Sequence, residues 1–147
     1  MKDRFTRGFI AGIIAGIAPF IINFGAQMLN LSTLVWSDFM GLFLLGNKPE
    51  GVLPMVFAVI SQFILVGLMG VLFAFLITLF SSENYLLKSW LFGITIWFSA
   101  YFLTFLFRLP GIKEIPIKTA ITHAIGSSLW GITIGLILNW LDDRLKT

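Results

Sequence analysis

The sequence predicts an all-α, polytopic membrane protein with four transmembrane helices and a short interfacial or re-entrant helix after the first. Three observations carry that prediction. The chain of 147 residues is 58% hydrophobic and 12% charged, with a mean hydropathy of +0.96, about half the charged share of a soluble domain. Its charges cluster between four apolar stretches, each long enough for the roughly 20 helical residues that cross a hydrocarbon core of about 30 Å. The stretches are continuously apolar, which excludes the alternating strands of a membrane barrel. In lipid the backbone must then satisfy itself within helices.

The first span, about residues 8–29, follows Lys2, Arg4 and Arg7 and runs uncharged as far as Asp38. The run continues past any cleavage point and into Pro19, so it reads as a retained helix and not a signal peptide. Gly8, Gly12 and Gly16 recur at every fourth position. Hydrophobicity drives little helix association in lipid, and small residues at this spacing let backbones approach. The same face continues through Pro19, Asn23, Gln27 and Asn30, while Ile10, Ile14, Ile17 and Ile21 form the opposite, lipid-facing side.

The connection that follows, "LSTLVWSDFMGLFLLGNKPEG", is too long for a turn and too apolar for a solvated loop. Its centre, about residues 37–46, is too short to span and reads as a helix lying on or dipping into the membrane, capped by Ser37 or Asp38. Asp38 has a second reading, as an acid at the mouth of a cavity. Trp36 suits the headgroup level.

The second span, about 52–80, carries Gln62 in its middle. The short "SSENYLLK" link predicts that it and the third span, about 88–108, are antiparallel neighbours. On the third span Gly93, Trp97, Tyr101, Thr104 and Arg108 share a face. Trp97 and Tyr101 are too deep for an aromatic belt, so their polar tips need partners inside the bundle; Arg108 snorkels at the end. The two prolines of "RLPGIKEIPIK" predict an extended link.

The fourth span, about 119–140, repeats the small-residue stripe as Thr119, His123, Ser127, Gly131 and Gly135. The two stripes are expected to pack against each other or against a second copy of the chain.

Cysteine is absent, which excludes disulfides, thiolate metal sites and cysteine nucleophiles. No acid lies clearly within a span, which argues against a carboxylate-coupled exporter and against carboxylate acid–base catalysis. His123, the only histidine, lacks companions for a metal site; it either pairs within the bundle, with Asn23, Gln27 or Tyr101, or titrates and binds a ligand. Asn23, Gln27 and Gln62 either glue helices together or line, with Tyr101 and His123, a polar cavity.

From residue 86 onward, "LLKSWLFGITIW" and "RLPGIKEIPIKTAITHAIGSSLWGITIG" resemble the YqhR-like family of small integral membrane proteins of spore-forming Gram-positive bacteria. The resemblance implies a bacterial cell membrane and a helix count; it carries over no activity and no functional residue.

The expectation is a non-enzymatic structural or accessory protein without cofactor or metal, binding membrane lipid or a partner membrane protein, with a homodimer as one form. Nucleic acid is not an expected partner. The alternative is a small oligomeric transporter or channel. Six Lys and Arg on the side of the termini (Lys2, Arg4, Arg7, Lys88, Arg144, Lys146) against four on the other (Lys48, Arg108, Lys113, Lys118) point both termini to the cytoplasm.

Overall fold

The computed structural model describes residues 3–80, 84–109, 112 and 114–146, with side chains as far as Asp142. Lys2, Lys113, Pro110, Gly111 and residues 81–83 lie outside the described residues, and with them part of the charge count and part of both later links. The described chain forms helices α1 (Arg4–Met28), α2 (Trp36–Leu45), α3 (Val52–Leu76), α4 (Tyr85–Leu106) and α5 (Ile117–Lys146). Four of them, all but α2, are long and apolar enough to cross a membrane, so the chain is a multi-pass membrane protein. Arg7 at the start of α1 pairs with Asp142 near the end of α5 at 2.7 Å, which sets the two chain ends on one side. The link from α1 through α2 to α3 occupies the other side.

The exterior is lined by large apolar side chains. Ile10, Ile14, Ile17 and Ile21 are exposed as expected, as are Leu68, Leu72, Phe98, Phe102 and Ile125. The interior instead holds small and polar residues, among them Ala11, Ala15, Ser89, Thr104 and Thr119. That distribution suits a lipid solvent, in which an outward isoleucine costs nothing and an outward hydroxyl gains nothing.

Asp3 caps α1, accepting from the Thr6 and Phe5 N–H groups at 2.8 and 3.2 Å and from the Thr6 hydroxyl. These bonds hold the Asp3 carboxyl below its usual value, the Thr6 hydroxyl contributing most. At the other end Asn30 adopts φ +57°, and the Leu31 N–H donates to the Ala26 carbonyl, the Schellman closure with asparagine in the left-handed position. Arg108, at φ +47°, closes α4 the same way, with the Leu109 N–H donating to Thr104. The span expected over 88–108 thus begins earlier, at Tyr85, because Lys88 is tolerated within the first turn, and the fourth span continues to Lys146. The second ends at Leu76, followed by turns in which the Thr78 hydroxyl donates to the Phe75 carbonyl.

Backbone seams join α3 to α1, α1 to α5 and α5 to α4, and α2 packs on α3. The expected antiparallel pairing of α3 with α4 is corrected: the two share no extended seam. They meet through Phe73 against Tyr85 and Phe92, beside their link.

The glycine stripes set this order, and they do not face each other as expected. A Cβ on Gly8 would lie 2.8 Å from both the Gly70 carbonyl and the Val71 Cα of α3; one on Gly12 would meet the Val66 carbonyl and, at 3.0 Å, the Gly67 Cα. Gly16 faces Val66 and Phe63. The stripe of α1 is therefore filled by α3, which brings glycines of its own. On α5, Gly131 faces the Ser89 carbonyl and the Trp90 Cα of α4, Gly135 makes room for the Ser89 hydroxyl, and the Ser127 carbonyl lies against Gly93. The α1–α5 contact is made by other groups. The Trp130 indole donates to the Gly12 carbonyl at 3.1 Å, and Gly126 leaves space for Asn23, whose amide nitrogen would be 2.6 Å from a Cβ there.

Candidate functional site

The row α3–α1–α5–α4 leaves a gap between its two outer members. Below Phe73 the gap widens into a cavity of about 110 Å³. Gly16 and Pro19 of α1, with Gly126 and Trp130 of α5, form its back. Gln62, Leu65 and Met69 stand on the α3 side, Gly93, Ile96 and Ala100 on the α4 side. Trp36, Phe39, Met40 and Phe43 of α2 complete the wall. Leu65 and Phe43, both exposed, stand at the rim, where the cavity meets the exterior. Gln62 lies ten residues into a helix of 25, about 15 Å from its start, so the cavity is at mid-membrane depth.

The short helix α2 is the element that shapes this space. The expected cap by Ser37 is corrected: Val35 precedes the helix, its N–H donates to the Asp38 carboxylate at 3.0 Å, and the Ser37 hydroxyl turns to the Met55 sulfur at 3.9 Å. Asp38 is fully buried, paired with Lys48 at 3.4 Å, and takes no part in the cavity wall, which leaves its capping role. Gly46, at φ +76°, ends the helix, and Gly41 lies against the Pro49 ring. Held this way, α2 points Phe39 inward, against Tyr101 and His123 at ring distances of 5.9 and 5.5 Å. It is a wedge in the helix row and not a helix lying flat on it.

The five residues expected to share a polar cavity are separated. Tyr101 and His123 pair with each other, Oη to Nδ1 at 2.9 Å. His123 Nε2 lies 2.9 Å from the Leu34 carbonyl. A carbonyl only accepts, so Nε2 carries the proton, Nδ1 accepts, and the tyrosine hydroxyl donates. The imidazole is also stacked on Trp36 at 4.8 Å. The pair thus ties α4 and α5 to the strand of chain leading into α2, and the Thr33 N–H, donating to the Thr119 hydroxyl at 3.0 Å, adds a second tie. Asn23 donates to its own helix, at the Pro19 carbonyl, 2.8 Å, and Gln27 sits half-buried near the end of α1. Gln62 alone of the five lines the cavity. Trp97 packs on Tyr101 at 5.3 Å; the expected partner for its polar tip is not found, and the indole nitrogen is buried without one.

The cavity wall is otherwise apolar. Apart from the Trp36 and Trp130 indoles, Gln62 and Ser127 supply its polar side chains, and among the described residues no charged one lines it. Among the described residues no group of three or more His, Cys, Asp or Glu is placed to hold a metal ion. Sequence reasoning missed the cavity because its wall draws on five helices. The available signal was the run Phe39, Met40 and Phe43, one apolar face of a helix too short to span.

No protein-family model, curated protein or solved structure matches the chain.

Proposed function

We propose that this protein is a non-enzymatic accessory protein of a bacterial cell membrane that takes the chain of a membrane lipid into the cavity between α3 and α4. The supporting observation is the cavity itself: apolar, at mid-membrane depth, and rimmed by exposed Leu65 and Phe43. Engineered apolar cavities of about 150 Å³ accept benzene, so about 110 Å³ suits a short length of hydrocarbon chain. Such chains are the surrounding solvent, so a modest affinity suffices. The resemblance to YqhR-like proteins supports the bacterial setting, and the excess of Lys and Arg near the termini supports a cytoplasmic location for both.

The transporter reading has less support. A conduction path needs connected polar groups, and here Tyr101 and His123 satisfy each other while Asn23 turns to its own helix.

Trp130 provides the test. It lines the cavity and is only 5% exposed. A chain retaining Trp130 alone, with Trp36, Trp90, Trp97 and Trp140 replaced by Phe, is placed in nanodiscs of phospholipid brominated near the chain end. Quenching is expected to be strong, and to fall by about half when Ala100→Phe fills the cavity. Equal quenching with and without Ala100→Phe refutes lipid entry.

A further inference from the structure

We infer that the preferred occupant of this cavity is a neutral lipid bearing a hydroxyl group, held by a hydrogen bond between that hydroxyl and the Gln62 side-chain amide. The inference rests on the lipid-binding reading above and names the chemistry within it.

Gln62 is 8% exposed, and its Oε1 is buried without a hydrogen-bond partner. An orphaned acceptor at mid-membrane depth is costly, since neither lipid nor protein satisfies it. A leucine in its place would pack without that cost, and Gln62 differs from the other unpartnered buried groups, Asn23, Tyr85 and Trp97 among them, in lining the cavity. Water is a poor occupant of the space as a whole, because the wall is apolar apart from Gln62, Ser127 and the Trp36 and Trp130 indoles, the last already donating to the Gly12 carbonyl.

The ligand's chemistry follows from the wall. A charged head is disfavoured because among the described residues no charged one lines the cavity to offset its desolvation. A plain hydrocarbon leaves Oε1 unpaired. A hydroxyl both donates and accepts, so it satisfies the amide with either end presented, and Ser127 on α5 offers a second polar contact in the same space. The rest of the molecule is apolar and leaves between Leu65 and Phe43 into the bilayer. A single-chain or isoprenoid alcohol has this form.

Competition in the Trp130-only chain tests the proposal. Nanodiscs of brominated phospholipid receive increasing amounts of 1-hexadecanol or hexadecane, and relief of Trp130 quenching is read. The alcohol is expected to relieve quenching at about one-fifth the concentration of the alkane, the effect of one neutral hydrogen bond. Gln62→Leu should remove that gap while leaving quenching by the brominated chain in place. Equal potency of alcohol and alkane, or a gap that survives in Gln62→Leu, overturns the inference while the lipid-binding reading stands. No effect of Ala100→Phe on quenching overturns both. If Gln62→Leu fails to fold, the alcohol-to-alkane ratio in the chain that keeps Gln62 decides the matter.

Discussion

Replacing Gly12 by alanine tests the seam on which the helix order rests. A Cβ there would meet the Val66 carbonyl and lie 3.0 and 3.1 Å from the Cα atoms of Gly67 and Gly70. All three are backbone atoms, so no side chain can rotate away, and α1 must retreat from α3 by roughly an ångström. Overpacking of this kind costs about 1–3 kcal/mol. Alanine returns about 1 kcal/mol of helix propensity, so the net loss is about 0–2 kcal/mol. Gly25→Ala is the internal control, because it lies on the same helix and a Cβ there meets nothing within 4 Å. It should gain about 0.5–1 kcal/mol. The assay is equilibrium unfolding in mixed detergent micelles followed by circular dichroism. Equal stability of Gly12→Ala and Gly25→Ala would refute the reasoning, since chemistry and helix are the same and only the approach of α3 differs. Gly12→Leu should be worse than Gly12→Ala by the same measure.

Three further outcomes are expected. Tyr101→Phe leaves His123 Nδ1 without its donor and should cost about 1–3 kcal/mol in the same unfolding assay; a loss below 0.5 kcal/mol, in the range of an unremarkable surface change, would show that the bond is not formed. Asp142→Asn should cost about 1–3 kcal/mol, between the values for exposed and buried ion pairs, because the Arg7 side chain is only 9% exposed while that of Asp142 is 41% exposed; the double variant Arg7→Met with Asp142→Leu should recover most of it, and no recovery would assign the loss to something other than the stranded guanidinium. The Asp3 cap has a folded-state carboxyl pKa below its unfolded value, so its contribution is complete above the usual carboxylate range and is lost as pH falls through the lowered value; amide exchange at Phe5 and Thr6 should accelerate there, and Asp3→Ala should show the fast exchange at every pH.

The spans, the short helix and the lipid-facing isoleucines were legible because each depends on local sequence. Length and apolarity decide a span, and Ile10 to Ile21 differ from Gly8 to Gly16 by position on one helix. What was not legible is pairing. Gly12 announces that some backbone comes close but not which one, since the α3 partners Gly67 and Gly70 are three residues apart and do not repeat its spacing. Tyr101 and His123 were both recognised as groups in need of partners. Their bond could be named as one option among several, but the Leu34 carbonyl that fixes the tautomer carries no side-chain signal at all. The ends of α1 and α4, at Met28 and Leu106, lie within two residues of the expected ones, whereas both helices begin earlier than expected, at Arg4 and Tyr85, because charges mark where water begins and a helix runs on past them.

The seams and the cavity are one design. Glycine lets α1 reach α3, and α5 reach α4, at backbone contact. The α1–α5 joint between them is made by larger groups, the Trp130 indole on the Gly12 carbonyl and Asn23 beside Gly126. Two glycine-lined pairs are thus joined in the middle of the row, and its outer members share no extended seam. Phe73, set against Tyr85 and Phe92, bridges them on the side of the termini. On the other side α2 bridges them, with Phe39 against Tyr101 and the helix itself against α3. Between those two bridges Gln62, Leu65 and Met69 of α3 and Gly93, Ile96 and Ala100 of α4 line the gap without filling it. The short helix therefore does what a fifth span could not. It closes one end of the space while leaving the middle open between Leu65 and Phe43, and the buried Asp38 carboxylate and the Tyr101–His123 bond hold so short a segment in place.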